Sequence, residues 1–374
     1  MQYGILLTIY ILLVFRGIGA PVSLTLAGEA EVERDALNIQ HRVERLERSR
    51  ELARHTETSI QRHLGITVSG LFEVEMRHAD DQHATDLTLA ALELGFDLQP
   101  TFWVNGHLLF LFEEKETEPP EIDEAIVTLA NPRVLPFSLA VGRMHVPFGH
   151  FASALISDPL TLALGETRKT AMQIGYVARG FHALGYLFDA EAGGGVADRS
   201  GMKIGYHRDG SESASGYDLG VSWIGDLAAT DSLRDVLGDS PRRGDVVAGW
   251  SVHATLRWRH FTLVGEYLGA VASFGAADLD FRGIGARPAA WNLEIERTFE
   301  YQGRPLSMAM AWQRTRAASA LELPKTRWLV GLSLSLHEHA TLAFEYSHDE
   351  AYAFGVGGSG ANRNAFGVQL ALSF

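Results

Sequence analysis

From Leu64 to the C-terminus, apolar and polar positions alternate with period two in one segment after another. In "LGITVSGLFEVEMRH", Leu64, Ile66, Val68, Gly70, Phe72, Val74 and Met76 share one face, while Thr67, Ser69, Glu73, Glu75 and Arg77 share the other. The same alternation sets Val246, Ala248, Trp250, Val252, Ala254, Leu256 and Trp258 against Gly249, Ser251, His253, Thr255, Arg257 and Arg259. It sets Trp328, Val330, Leu332, Leu334 and Leu336 against Arg327, Gly331, Ser333 and Ser335, and it ends on "NAFGVQLALSF" with Phe374 last. Unbroken period two is the mark of a strand with two chemically different faces. The pattern predicts about sixteen strands, near 64–78, 85–98, 102–113, 122–130, 137–143, 171–178, 181–188, 200–208, 216–225, 246–258, 261–271, 289–300, 305–316, 326–336, 340–348 and 364–374.

The connections sort into two classes. Short turns ("QPT", "NPRVLP", "RG", "RH", "YQGR", "HEH") alternate with longer polar or glycine-rich loops, and "DGSESAS" is the one long member of the short class. A soluble sandwich has no reason to sort its loops, whereas an outer-membrane barrel has short periplasmic turns and longer extracellular loops. Strands of roughly nine to eleven tilted residues cross a bilayer. Closing the sheet satisfies every backbone group without an edge facing lipid. Trp223, Trp250, Trp258, Trp312, Trp328 and Phe374 fall toward strand ends on the apolar face, where interfacial aromatic girdles form. The expected fold is therefore an all-β transmembrane antiparallel barrel over 64–374, with an aqueous lumen.

The N-terminal region differs. "MQYGILLTIYILLVFRGIGA" is as long as a secretory h-region and runs into small residues, so residues 1–27 read as a signal peptide ending at Ala20 or Ala27. No basic residue precedes the apolar run, which leaves a membrane anchor or a misassigned start as alternatives. Over 28–63, Val32, Ala36, Ile39, Val43, Leu46, Ala53 and Ile60 keep heptad spacing, which predicts a short periplasmic coiled-coil helix and a possible homotrimer. Arg50 and Glu57 interrupt the seam, so a solvated spacer helix is the competing reading.

Composition removes other classes. With 46% hydrophobic residues and a mean hydropathy of 0.00, the chain is too polar for a bundle of membrane helices. A formal charge of −14 argues against a nucleic-acid binder, which needs a basic surface. There is no cysteine, hence no disulfide framework and no thiolate metal site.

The longest connection between strands, 144–170, reads "MHVPFGHFASALISDPLTLALGETRKT" and is the third long loop. It is too apolar for a disordered segment, and long ordered loops are usually functional. Phe148, Phe151, Leu155, Ile156, Leu160, Leu162 and Leu164 suit a packed loop folded into the lumen, with a surface lid as the alternative. "IDEAIVTLANP" from Ile122, "VGRMHVPFGHF" from Val141 and "ISDPLTLALGETRKTAMQIGY" from Ile156 resemble the hallmark block of siderophore porins of the legiobactin-uptake type, the LbtU family. That resemblance implies passage of a ferric siderophore across the Gram-negative outer membrane through a plug-free pore. His145, His150 and the Arg168–Lys169 pair depart from that pattern.

The candidate pore and constriction residues are Arg143, Phe148, Phe151, Asp158, Glu166, Arg168 and Lys169. Lumen charges are expected at Glu73, Glu75, Lys203, Arg257, Glu266, Arg327 and Glu345, together with Glu93, Asp97, Asp218, Glu294, Glu296, Arg143 and Arg259. The wall is mixed and mildly acidic, which counts against a phosphate-selective porin with its ladder of basic residues. No Gly-x-Ser-x-Gly elbow or paired Ser and His marks an enzyme, and no cofactor is implied. The "HEH" of His337–His339 sits in a tight turn and lacks further ligands at metal-site spacing, so no metal site is expected. The function expected is a siderophore porin, against a general or anion-selective diffusion porin and a structural or adhesion barrel. The partners expected are the transported solute, outer-membrane lipid, and the barrel assembly machinery reading the strand that ends at Phe374.

Overall fold

The computed structural model of the protein describes residues 65–81, 85–114, 119–189, 198–210, 215–238 and 246–374. The segments read as signal peptide and coiled coil lie outside the described residues. The barrel strands are β1 (Ile66–Ala79), β2 (Asp86–Leu98), β3 (Val104–Phe112), β4 (Glu121–Ala130), β5 (Phe137–His145), β6 (Arg168–Ala178), β7 (Phe181–Phe188), β8 (Arg199–Arg208), β9 (Gly216–Ile224), β10 (Gly249–Trp258) and β11 (Phe261–Ala270). They continue with β14 (Ala289–Tyr301), β15 (Arg304–Arg316), β16 (Thr326–His337), β17 (Ala340–Glu350) and β18 (Arg363–Ser373). Each pairs antiparallel with its sequence neighbours, and β1 pairs with β18, so the sheet is a closed barrel of the sixteen strands that the alternation predicts. Two further strands, β12 (Asp280–Phe281) and β13 (Ile284–Gly285), form a separate small hairpin inside the β11–β14 connection, where no strand was expected.

The seam explains the chain's apolar ending. β1 meets β18 in register from Leu71 opposite Ser373 to Ala79 opposite Ala365. Gly70 and Phe374 then exchange two backbone hydrogen bonds, each 3.1 Å long. A Cβ at Gly70 would run into the Phe374 ring, so the glycine is what lets the terminal aromatic lie flat across the seam. Closure leaves no free edge to the lipid.

Burial runs opposite to that of a soluble protein. On β6, Ile174 is 59% exposed beside Gln173 at 3%, and on β14, Leu293 is 54% exposed beside Asn292 at 0%. Large apolar side chains dominate the outward face of the strands and most inward positions are polar or small, which is stable only with hydrocarbon outside. Aromatics mark both edges of that apolar band. At the long-loop end Trp250, Tyr267 and Trp291 pack in sequence at 4.8 and 5.1 Å between ring centroids, and Trp312 meets Trp328. At the other end Phe137 meets Tyr176, Phe181 meets Tyr206, and Trp258 meets Phe261.

Tight turns at that second end follow from local backbone chemistry. Arg179–Gly180 and Gln302–Gly303 all have positive φ (53°, 82°, 52° and 74°), the geometry that matches hairpin twist in two-residue connections. Between the strands at the opposite end, the longer connections carry short helices, α1 (Leu160–Gly165) and α2 (Asp231–Leu237), and the 3₁₀ turn Leu227–Ala229.

Candidate functional site: the constriction loop

The connection between β5 and β6 folds into the lumen. Its neck is closed by the Val146 amide donating to the Thr167 carbonyl at 2.9 Å. From there the chain crosses to the far wall and follows it strand by strand. The Gly149 amide donates to Ser222 Oγ on β9 at 2.9 Å. The amides of His150 and Phe151 donate to the two carboxylate oxygens of Glu266 on β11, at 2.7 and 3.0 Å. Ser153 Oγ and the Ala154 amide donate to Glu294 on β14, at 2.8 and 2.6 Å. The Ser157 amide and hydroxyl donate to Glu345 on β17, at 3.0 and 2.5 Å.

Three inward glutamates are thus acceptors for a loop whose own backbone would otherwise be unsatisfied. Thr161 Oγ1 adds a further bond to Glu266 at 2.8 Å, and α1 starts with the Leu160 amide donating to Gln313 Oε1 on β15 at 3.2 Å.

Apolar contacts hold the same path. Leu155 and Ile156 enter a patch of small inward side chains, Ala309, Ala311 and Ala343, around Leu329. Gly331 beside them carries no Cβ to meet the Leu155 side chain. Phe148, Leu160 and Leu164 join a larger cluster with Ile224, Leu227, Leu233 and Leu268, which ties the loop to the β9–β10 connection. Phe148 is 1% exposed, so it anchors the loop rather than lining an open path. Phe151 is half-buried with φ of +58°, packed against the same cluster.

The charged candidates gather in two places. At the neck, Arg168 bonds Asp123 and reaches Glu121 at 2.6 Å, and its amide donates to Asp231 at 3.0 Å. Lys169 Nζ lies 3.8 Å from Asp231, and Arg143 lies 3.8 Å from Glu121. Glu166 sits 3.4 Å from His145 Nδ1, and burial pushes its carboxyl up to about 7 against the opposing pull of the imidazole. Burial also raises the Asp231 carboxyl. At the tip, Asp158 is buried with neither oxygen hydrogen-bonded among the described residues; burial, then the neighbouring Glu166, Glu113, Glu345 and Glu75, hold its carboxyl well above the usual range.

Around the wall, Glu73 is fully buried without a hydrogen bond among the described residues, and Glu75 faces Arg77 at 3.6 Å. Arg327 grips Asp349 through two bonds of 2.7 and 2.8 Å. Lys203 Nζ donates to the Gly149 carbonyl at 2.9 Å, and Arg257 faces inward on β10. Arg259 corrects the expected wall: it occupies the β10–β11 turn with φ of +53°, and its guanidinium lies over the Trp258 ring at 5.2 Å, because the hairpin ends the alternation one residue earlier. His337 and His339 lie at the β16–β17 turn, with His339 Nε2 3.5 Å from Glu338.

Sequence alternation placed Glu266, Glu294 and Glu345 inward but not against the loop; the partners are more than a hundred residues away in the chain. It also missed a cluster formed by His150, Asp218 and His253, whose members come from a loop and two strands.

No family model matches the chain. Over 288 residues it is 27% identical to a "UPF0422 protein" of Coxiella burnetii, covering 74% of this chain and 62% of that one. Over 325 residues it is 29% identical to a "UPF0422 protein" of Legionella pneumophila (strain Lens), covering 75% and 57%. The chain thus spans about three fifths of the length of these relatives. Among solved structures it is similar to OprB of Pseudomonas putida (TM-score 0.58, 10% identity, 83% of this chain and 94% of that one). It is also similar to the outer-membrane channel DcaP of Acinetobacter baumannii (TM-score 0.57, 12% identity, 83% and 97%). A trimer form of the Vibrio cholerae outer-membrane protein OmpT aligns with TM-score 0.52 at 12% identity, covering 83% and 99%. The closed sixteen-strand barrel, its apolar outer belt and these neighbours make the chain an outer-membrane β-barrel with a porin-like channel fold.

Proposed function

We propose that the protein is a passive outer-membrane channel whose selectivity is set by the inward loop Val146–Thr167, and that its solute is a ferric siderophore. The observation that carries the channel reading is the docking of that loop across the lumen on Glu266, Glu294 and Glu345. A loop held by carboxyl acceptors and two apolar patches is a built constriction, and a constriction of fixed width with placed wall charges is what a selective pore needs. The ferric-siderophore cargo rests on the resemblance of the Ile122–Tyr176 block. The inward acids also support a second reading, a diffusion channel that prefers cations. A homotrimer and recognition of the Phe374 strand by the assembly machinery belong to the same proposal.

The test is uptake of radiolabelled ferric siderophores by iron-starved cells lacking the protein, complemented with wild type or with Ser157–Thr167 replaced by a Gly/Ser linker. Lowered uptake on deletion, not restored by a linker variant that still inserts, supports both cargo and loop. Unchanged ferric-siderophore uptake with altered small-solute permeability removes the cargo and leaves the diffusion channel.

A further inference from the structure

Where the constriction loop first touches the wall, its chemistry changes from carboxylate to imidazole. His150 on the loop, Asp218 on β9 and His253 on β10 bring one donor atom each to within 4.8 Å of one another. Among the described residues this is the one group of three such side chains so close. The His150 and His253 rings stack with centroids 4.2 Å apart and planes 12° from parallel. His253 Nε2 lies 3.2 Å from Asp218 Oδ1.

The backbone around His150 is held for this placement. Gly149 and Phe151 on either side both have positive φ, +83° and +58°. A non-glycine residue in that region costs free energy and persists only where surrounding contacts over-determine it. Those contacts are the Gly149 amide on Ser222, the Gly149 carbonyl on Lys203, and the amides of His150 and Phe151 on Glu266. They fix the Cα of His150 opposite β9 and β10 before its side chain does anything.

The wall is shaped to match. A Cβ at Gly220 would strike the His253 imidazole, so the glycine makes the recess in which that ring lies against the wall. The second oxygen of Asp218 faces His207 Nδ1 at 3.5 Å, and His207 Nε2 meets Asp209 Oδ1 at 2.8 Å. Such outer partners orient a ligating carboxylate. Thr255 Oγ1 stands 3.4 Å from His150 Nε2. The nearby ammonium of Lys203 is engaged by the Gly149 carbonyl.

The geometry points to a site for one divalent transition-metal ion of the zinc class, held by His150, Asp218 and His253, that ties the constriction loop to the lumen wall. Two neutral imidazoles and one carboxylate suit zinc, copper, nickel or iron, whereas calcium and magnesium take oxygen ligands alone. Around zinc at about 2.1 Å, tetrahedral donors are roughly 3.4 Å apart, so the set closes by up to about 1.4 Å through side-chain rotation. Three protein ligands leave a further position open to water or to a donor of a passing solute. An ion bridging loop and wall binds only the docked loop, so its occupancy stabilises the constricted state by mass action. The inference is independent of which solute the channel carries.

The test uses the full chain refolded in detergent, stripped with chelator and titrated with Zn²⁺ by calorimetry, with hydrogen exchange of the Gly149–Phe151 amides as a second readout. Wild type is expected to bind an equivalent that His150→Gln and His253→Gln each weaken by about a hundredfold or more, while both variants keep the gel mobility of the unheated, folded barrel. Zn²⁺ should slow exchange at Gly149–Phe151 in wild type and leave it unchanged in His150→Gln. A His337→Ala/His339→Ala variant should bind as wild type does. Absence of Zn²⁺ binding by wild type, binding unaltered in the two glutamine variants, or binding lost with the turn histidines overturns the proposal.

Discussion

Replacing Glu294 by Ala should unlatch the constriction loop without opening the barrel. In the folded protein this carboxylate accepts Ser153 Oγ at 2.8 Å and the Ala154 amide at 2.6 Å, and both donors are buried. An intramolecular hydrogen bond contributes about 0.5–1.5 kcal/mol net, so the two together hold the loop by about 1–3 kcal/mol. At about 1.4 kcal/mol per factor of ten, the open fraction rises by roughly 5- to 150-fold. The strand ladder at Glu294 is backbone to backbone, pairing with Ala311 and Val264, so β14 keeps its place. Hydrogen exchange should therefore speed up at Ala154 and its loop neighbours by at least about fivefold, with strand amides unchanged. Single-channel records should gain conductance and flicker. Glu294→Gln, which keeps a carbonyl acceptor, should fall between the two. Loop exchange and conductance equal to wild type in the alanine variant would refute the latch.

Further expectations come from the same geometry. Leu155→Ala empties part of the patch lined by Ala309, Ala311, Leu329 and Ala343; a buried Leu→Ala change costs about 2–5 kcal/mol, seen as faster loop exchange at unchanged barrel melting. Gly70→Val forces the Phe374 ring off the seam, and overpacking of about 1–3 kcal/mol should lower the temperature at which the folded barrel loses its fast gel mobility; an unshifted transition contradicts the seam account. Glu166 keeps its proton in the docked loop up to about pH 7 and releases it near its ordinary value of 4.5 when the loop leaves, although His145 and Arg168 pull the other way. Docking is thus fullest below about 4.5 and weakens as pH rises to about 7, with the raised Asp231 acting in the same sense. Loop-opening events in bilayer recordings should become more frequent across that window, and Glu166→Gln should flatten the dependence; an equal slope in the variant would assign it elsewhere. Reversal potentials in a salt gradient should show cation preference, reduced by Glu75→Gln, and an anion-selective pore would contradict the acidic wall.

The barrel was legible in the alternation because a strand between lipid and lumen must separate its two faces at every residue. Val68, Phe72 and Met76 against Glu73 and Glu75 already name outside and inside, and the ordering of short and long connections names the two ends. Sixteen repetitions of one local rule leave little to tertiary context, and antiparallel neighbours joined by turns such as Arg179–Gly180 pair with the next strand in sequence. Even the seam has a local sign, the alternating run that ends at Phe374, although its partner Gly70 lies at the other end of the barrel sequence. The site was not legible in this way. Glu294 carries the same inward parity as Glu296, yet only the path of the loop makes the first an acceptor for Ser153 and Ala154. His150, Asp218 and His253 have no common spacing, and their meeting depends on where a long loop with two positive-φ residues is set down by Ser222, Lys203 and Glu266. Local patterning specifies which side of the wall a residue faces, because that choice is made residue by residue. Which inward residues meet is decided by closure and by the loop that fills the lumen, because those contacts join positions that the sequence keeps far apart.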